Sequence, residues 1–261
     1  MHFDLTDQYR HRESQVHGLD PRAKVLLVVL FILAASLVPA GAWVSFLLLA
    51  FLILLTAWMT RLGPTFALKR SFVALPFVLA ALPVPLTTPG PSLFEIPVLG
   101  WTVSKPGTVI FLSILLRSWL AVQGAILLTA TTRFPDLIWA LNALHLPRPL
   151  VATVAFMYRY LFVLADEVLR MVRARSARSA VLAGRPKPSI WWQGRVAGNM
   201  VGSLFVRSLE RSERVYAAML SRGYDGQMRT LGRFEMTRKD GLAVFIGAVV
   251  LLSALAAGAV R

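Results

Sequence analysis

The chain has 261 residues, 56% of them hydrophobic and only 16% charged, whereas soluble domains carry about a quarter of their residues charged. Its 28 Lys and Arg against 13 Asp and Glu leave a net charge of +15, and beside long apolar runs that excess points to anionic lipid and a cytoplasmic face, not to nucleic acid. With no Cys, the chain has no disulfides, no thiolate-bound zinc or iron–sulfur centre and no cysteine nucleophile.

The first 24 residues include Asp4, Asp7, Glu13 and Asp20 and lack an apolar core, so a cleaved signal peptide is not expected despite the small residues at Pro39 to Ala42. His2, Asp4, Asp7 and His11 form a loose oxygen and nitrogen cluster, read as solvated tail and not as a metal site. No cofactor is assigned.

A spanning helix takes about 20 apolar residues. Val25 to Met59 contains no charge and is interrupted by Pro39 and Gly41, which predicts two helices joined by a tight hairpin. Asp20 followed by Pro21 predicts the first start: a carboxylate accepts a free N–H, and proline loses nothing in the first turn. Arg22 and Lys24 are expected to snorkel to the headgroups. Ser71 to Leu86 is a third span, broken by Pro76, Pro83 and Pro85, and Val84 to Pro106 reads as a proline-rich surface loop. Gly107 to Thr132 is a fourth span with Arg117 inside it, placed either on a polar path or against carbonyls, and Gly241 to Val260 is a fifth.

The basic residues orient these spans. Arg10, Arg12, Arg22 and Lys24 precede the first, Arg61, Lys69 and Arg70 follow the second, and residues 133–239 are strongly basic, whereas the intervening loops hold only Lys105. The positive-inside rule therefore predicts a cytoplasmic N-terminus and an external C-terminus. The expected organisation is a tail with four spans (1–132), a cytoplasmic region (133–240) and a last span (241–261), an all-α polytopic membrane protein. Residues 150–165 could cross too, but they are short, hold Arg159 at their centre and would carry the following arginines outside, so an interfacial or cytoplasmic helix is preferred.

In the cytoplasmic region a short helix opens at Pro135-Asp136. Two long helices follow, from about Leu150 to Ala180 and from about Arg195 to Arg222, and Gly223 stops the second. Asp166 and Glu167 lie three or four residues before Arg170, spaced to pair with it, and Glu210 is spaced to pair with Arg214. Val201, Leu204, Phe205, Val215, Tyr216 and Met219 share one face of the second long helix, and Gly198 and Gly202 would allow a close helix crossing there. Both helices end on an arginine between small residues: Ala177-Arg178-Ser179 and Ser221-Arg222-Gly223. An uncrowded guanidinium offers five donors to an acidic or carbonyl-lined groove, although arginine near a helix C-terminus also simply complements the dipole. Ala174-Arg175-Ser176 copies the first motif, which leaves Arg175 as an alternative to Arg178.

In order and spacing, His17 to Lys24, Tyr158 to Leu161, Asp166-Glu167, Ala177 to Ser179 and Ala218 to Tyr224 resemble the T component of energy-coupling factor (ECF) transporters, cobalt-type CbiQ branch. The resemblance implies a scaffold in the bacterial cytoplasmic membrane whose long coupling helices dock their small-Arg-small ends in ABC-type ATPase subunits. It also implies that the membrane part holds a substrate-binding component, with cobalt as substrate and nickel as runner-up. Ser221 stands where that family often has Ala. No Gly-x-x-x-x-Gly-Lys-Ser/Thr and no His-Glu-x-x-His occurs, so no nucleotide loop or zinc-hydrolase site is expected and the chain is read as non-catalytic. The competing readings are a membrane enzyme acting on a lipid head group, or the same scaffold serving nickel or a vitamin. A basic anchored binding protein is a further rival.

Overall fold

The computed structural model describes residues 14, 16–60, 72, 75–96, 101–178, 189–226 and 234–259. Among the described residues the regular structure is helical apart from one small hairpin, and the chain divides into two units, residues 1–144 with 232–261 and residues 145–231.

The first unit opens with α1 (Pro21–Leu37), and the Asp20 carboxylate accepts from the Arg22 N–H at 2.8 Å as its N-cap. A turn through Gly41, at φ +86°, leads into α2 (Trp43–Met59). The apolar stretch that follows is split into α3 (Leu75–Ala81) and α4 (Val84–Thr87) at Leu82-Pro83, as its prolines predict. The proline-rich loop is more ordered than expected: β1 (Ser92–Ile96) pairs antiparallel with β2 (Trp101–Ser104), with a register shift between Ser92 and Phe94. Ser104 then caps α5 (Lys105–Thr131) by accepting from the Gly107 N–H. After α6 (Phe134–Ala143), the unit is completed by α9 (Arg238–Ala259).

Its core forms where α1, α2, α5 and α9 meet, on Phe31, Val38, Phe46, Leu49, Leu120, Leu127 and Leu251. At the α2–α9 contact Gly258 is required by space, because a Cβ there would stand 2.9 Å from Ser45 Oγ. α1 and α5 cap one another. Lys24 Nζ on α1 donates to Thr131 O at the end of α5 (3.3 Å) and to His17 O (2.9 Å), while Arg117 on α5 donates to Val38 O at the end of α1. Each cation thus meets the negative end of the other helix. This corrects the expectation for Arg22 and Lys24: Lys24 is buried against those carbonyls, and Arg22 lies 4.2 Å over the Trp139 ring, so neither reaches for headgroups. For Arg117 the carbonyl reading is the one realised.

Arg22, Trp139 and Phe234 form a continuous stack, with 4.9 Å between the two ring centroids, and so α6 and the segment before α9 belong to the first unit. The division therefore falls at Leu144 and Gly232, inside the region expected to be cytoplasmic throughout.

The second unit holds α7 (Arg148–Arg178) and α8 (Ile190–Leu220), 31 residues each. α8 begins five residues before the expected start because Ser189 accepts the Trp192 N–H as N-cap. By length and composition α5, α7 and α9 are apolar enough to cross a membrane, with α2 and the 75–87 stretch shorter apolar segments, as an all-α polytopic membrane protein requires.

Candidate functional site

α7 and α8 are the elements that carry the motif arginines, and they pair antiparallel. Residues 149–164 of α7 and 208–224 of α8 line one groove of about 760 Å³, largely apolar, with Phe156, Tyr160, Val215, Tyr216 and Met219 on its walls. Residues 167–178 and 192–207 line a second groove of about 610 Å³, with Arg170, Arg175, Arg178, Trp192 and Arg207 around it. The crossing lies between the two grooves. There Glu167 bonds Arg170 at 2.5 Å within α7 and Arg207 at 3.0 Å across to α8. The Arg170 hydrogen bond, assisted by Arg207, holds the Glu167 carboxyl below the ordinary glutamate range against the opposing pull of desolvation. Glu210 and Arg214 make the expected i,i+4 pair on α8 at 3.9 Å.

The helix crossing is not where the small residues suggested. A Cβ built on Gly198 or Gly202 meets nothing within 4 Å among the described residues, and Val201 and Phe205 are exposed beside them. Ionic contact at Glu167 and Arg207 brings the helices together, while the glycine face of α8 looks away from α7. Of the six residues expected to share the packed face, Val215, Tyr216 and Met219 line the apolar groove.

Both helix ends project. Arg178 is the last residue of α7 and is exposed, as is Ala177; Ser179 lies outside the described residues. Arg175 differs, since its guanidinium stands 6.0 Å from the Trp192 ring centroid and the residue is half-buried. At the other end Gly223 takes φ +78°, with Gly223 N–H donating to Leu220 O and Tyr224 N–H to Met219 O. These two bonds form the paired helix-ending motif that glycine makes possible. They satisfy the last carbonyls through the backbone and leave the exposed Arg222 guanidinium without a described partner. His2, Asp4, Asp7 and His11 lie outside the described residues. In the first unit, α1, α2, α5 and α9 enclose an apolar cavity of about 330 Å³, whose described lining includes Lys24 and Thr131 but no His, Asp or Glu.

Sequence reasoning missed the Arg207 bridge and the Arg175–Trp192 contact. Both link residues far apart in sequence, so neither has a local spacing signal.

The chain is similar in sequence to membrane transport components. The chain is 28% identical to the "Energy-coupling factor transporter transmembrane protein EcfT" of Brevibacillus brevis over 261 residues, 94% of each chain. It is 27% identical to the "Cobalt transport protein CbiQ" of Rhodobacter capsulatus, over 69% of this chain and 71% of that one. Over a shorter region, 54% of this chain and 48% of the relative, it is 31% identical to the "Nickel permease LarQ" of Lactiplantibacillus plantarum. Residues 12–231 match the family described as CbiQ, cobalt transport protein, and the chain belongs to that family, as a transmembrane transport component.

Proposed function

We propose that this chain is the transmembrane scaffold of an ECF-type ABC importer for a transition-metal ion. In this reading α7 and α8 are cytoplasmic coupling helices, and Arg178 and Arg222 dock in ABC-type ATPase subunits that the chain itself does not replace. The observation that carries it is the pair of exposed arginines, Arg178 at the last position of α7 and Arg222 in the turn two residues past α8, each beside small residues. Arg175, drawn onto Trp192, is the weaker candidate for the first docking residue. Cobalt is the first substrate to test, after the family description and the Rhodobacter relative, and nickel the second, after the Lactiplantibacillus relative. The cavity in the first unit offers no carboxylate or imidazole among its described lining, which supports leaving ion selection to a separate substrate-binding membrane component. The bilayer is the bacterial cytoplasmic membrane with the N-terminus inside.

The test is co-purification of the ATPase subunits with Arg178→Ala, Arg222→Ala and the double variant, alongside uptake of labelled cobalt and nickel. Loss of one partner of a desolvated charged contact costs about 2–5 kcal/mol, so docking should weaken by about thirtyfold to a few thousandfold, with Arg→Lys a partial rescue because the ammonium lacks the planar fork. Normal docking and uptake in the double variant would remove the coupling assignment, and a defect confined to Arg175→Ala would move the first docking residue. Orientation is tested by single cysteines, read cleanly in a chain without native Cys. Labels at Gly90 and Arg261 should react with an impermeant reagent from outside, and labels at Arg70, Lys187 and Met228 should not.

A further inference from the structure

α8 has no buried residue among those described, and α7 has only Val151 and Ala152, both near its start. The crossing therefore has no apolar core to fix it. Open grooves flank it on both sides, one mainly apolar and one rich in arginine. The one carboxylate lining the second groove is Glu167, whose side chain is 16% exposed, against 59% for Arg170 and 62% for Arg207. One oxygen takes Arg170 and the other takes Arg207, so the carboxylate is tied to its own helix and to the neighbour at once. That fork fixes the carboxylate on α7 before it reaches across, which a single flexible ion pair does not do.

We propose that Glu167 is the pivot pin of the helix pair, a positioning residue that sets the relative disposition of Arg178 and Arg222 without touching the ATPase. The proposal rests on the docking role given to those arginines. Arg178 lies eleven residues beyond Glu167 and Arg222 fifteen beyond Arg207, which is about 16 and 22 Å along a helix, on opposite sides of the crossing. A turn of about 15° at the pivot moves a tip about 20 Å away by about 5 Å, enough to misplace a guanidinium that must meet a groove within hydrogen-bonding distance. An importer needs both tips to follow their ATPase subunits together. A pin with two hydrogen-bonded arms keeps the angle between the levers defined while the grooves leave them room to move.

The test uses the full complex, with ATPase and substrate-binding subunits, in nanodiscs and proteoliposomes. Spin labels on Leu150→Cys and Leu220→Cys, both exposed and on the same side of the crossing, report the opening between the levers by pulsed electron resonance. Glu167→Gln and Arg207→Gln should each broaden or shift that distance by several ångströms. Arg170→Gln, which leaves the cross-helix arm in place, should do so less, and Glu167→Asp should restore part of the wild-type distribution. Metal uptake per ATP hydrolysed should fall roughly five- to tenfold in Glu167→Gln while the ATPase still co-purifies, a separation that general unfolding would not produce. An unchanged distance distribution in both Glu167→Gln and Arg207→Gln overturns the pivot, whatever uptake does. A clear shift with an unchanged coupling ratio overturns its part in transport. Loss of coupling in Arg178→Ala with no effect of Glu167→Gln on either readout would refute the pivot and leave the docking arginines standing.

Discussion

Leu120 on α5 and Leu209 on α8 are the same residue on long helices, of 27 and 31 residues, yet Leu120 has no exposed surface and Leu209 is 52% exposed. The difference lies in how many helices meet. In the first unit α1, α2, α5 and α9 converge, and a side chain on one is covered from several sides. In the second unit α7 and α8 are the paired helices among the described residues, and two helices have one contact line between them, which cannot cover a full apolar face. Apolar side chains occur in both units; the first buries a cluster of them, while α8 has no buried residue among those described. The first unit buries a core and also exposes apolar side chains such as Leu47 and Phe245, whereas the apolar side chains of α7 and α8 are left largely uncovered by the pair itself.

The sharpest test of that contrast is the same substitution in both places. Leu120→Ala should destabilise the purified chain by about 2–5 kcal/mol, because it empties a closed core where the void cannot collapse fully. Leu209→Ala should stay within about 0.5 kcal/mol in the isolated chain. Unfolding of both variants in detergent measures this, and a similar loss from Leu209→Ala would mean that α8 is packed after all.

A second test concerns the buried polar join that closes the first unit. Asp240 accepts the Asp20 N–H at 2.9 Å with one oxygen, and the Thr237 N–H and hydroxyl at 2.8 and 2.6 Å with the other. Asp240→Asn keeps the shape but turns an amide donor toward one of these donors, and should cost about 1–3 kcal/mol. Glu210→Gln on α8, an exposed pair at 3.9 Å, should cost almost nothing by the same measurement. Equal losses would erase the distinction between the units.

Much of the first unit was legible because its signals are local. Asp20-Pro21 announced α1, Pro39 and Gly41 the first hairpin, and the prolines from 76 to 85 the break between α3 and α4. What escaped depended on residues distant in sequence. Lys24 and Arg117 looked like membrane-edge and in-membrane cations, and only the antiparallel fit of α1 on α5 makes each the cap of the other helix. The β1–β2 hairpin was hidden in a loop read through its prolines, which say where a helix cannot run but not where short strands pair. In the second unit Gly223 marked the end of α8, but the close crossing that Gly198 and Gly202 would allow has no neighbour against it among the described residues. Small residues four apart show that one side of a helix can be approached closely; they do not say by what.

That last point gives the smallest expected effect and the finest test of the comparison. Gly258 and Gly202 both sit in helices, but a Cβ at Gly258 would press on Ser45 Oγ, and one at Gly202 would meet open space. Gly258→Ala should therefore strain the α2–α9 contact by about 1–3 kcal/mol. Gly202→Ala should instead stabilise the isolated chain, by up to about 1 kcal/mol, because alanine gains helix propensity where nothing stands in its way. The useful observation is the same variant in the assembled complex. If the open face of α8 is covered closely by another subunit, the added methyl group will weaken co-purification of that subunit even though the chain alone is more stable. If assembly is unchanged, the glycines serve no close contact there. If Gly202→Ala destabilises the isolated chain, α8 has an intrachain neighbour on this face and the contrast between the two units is smaller than the exposure of Leu209 implies.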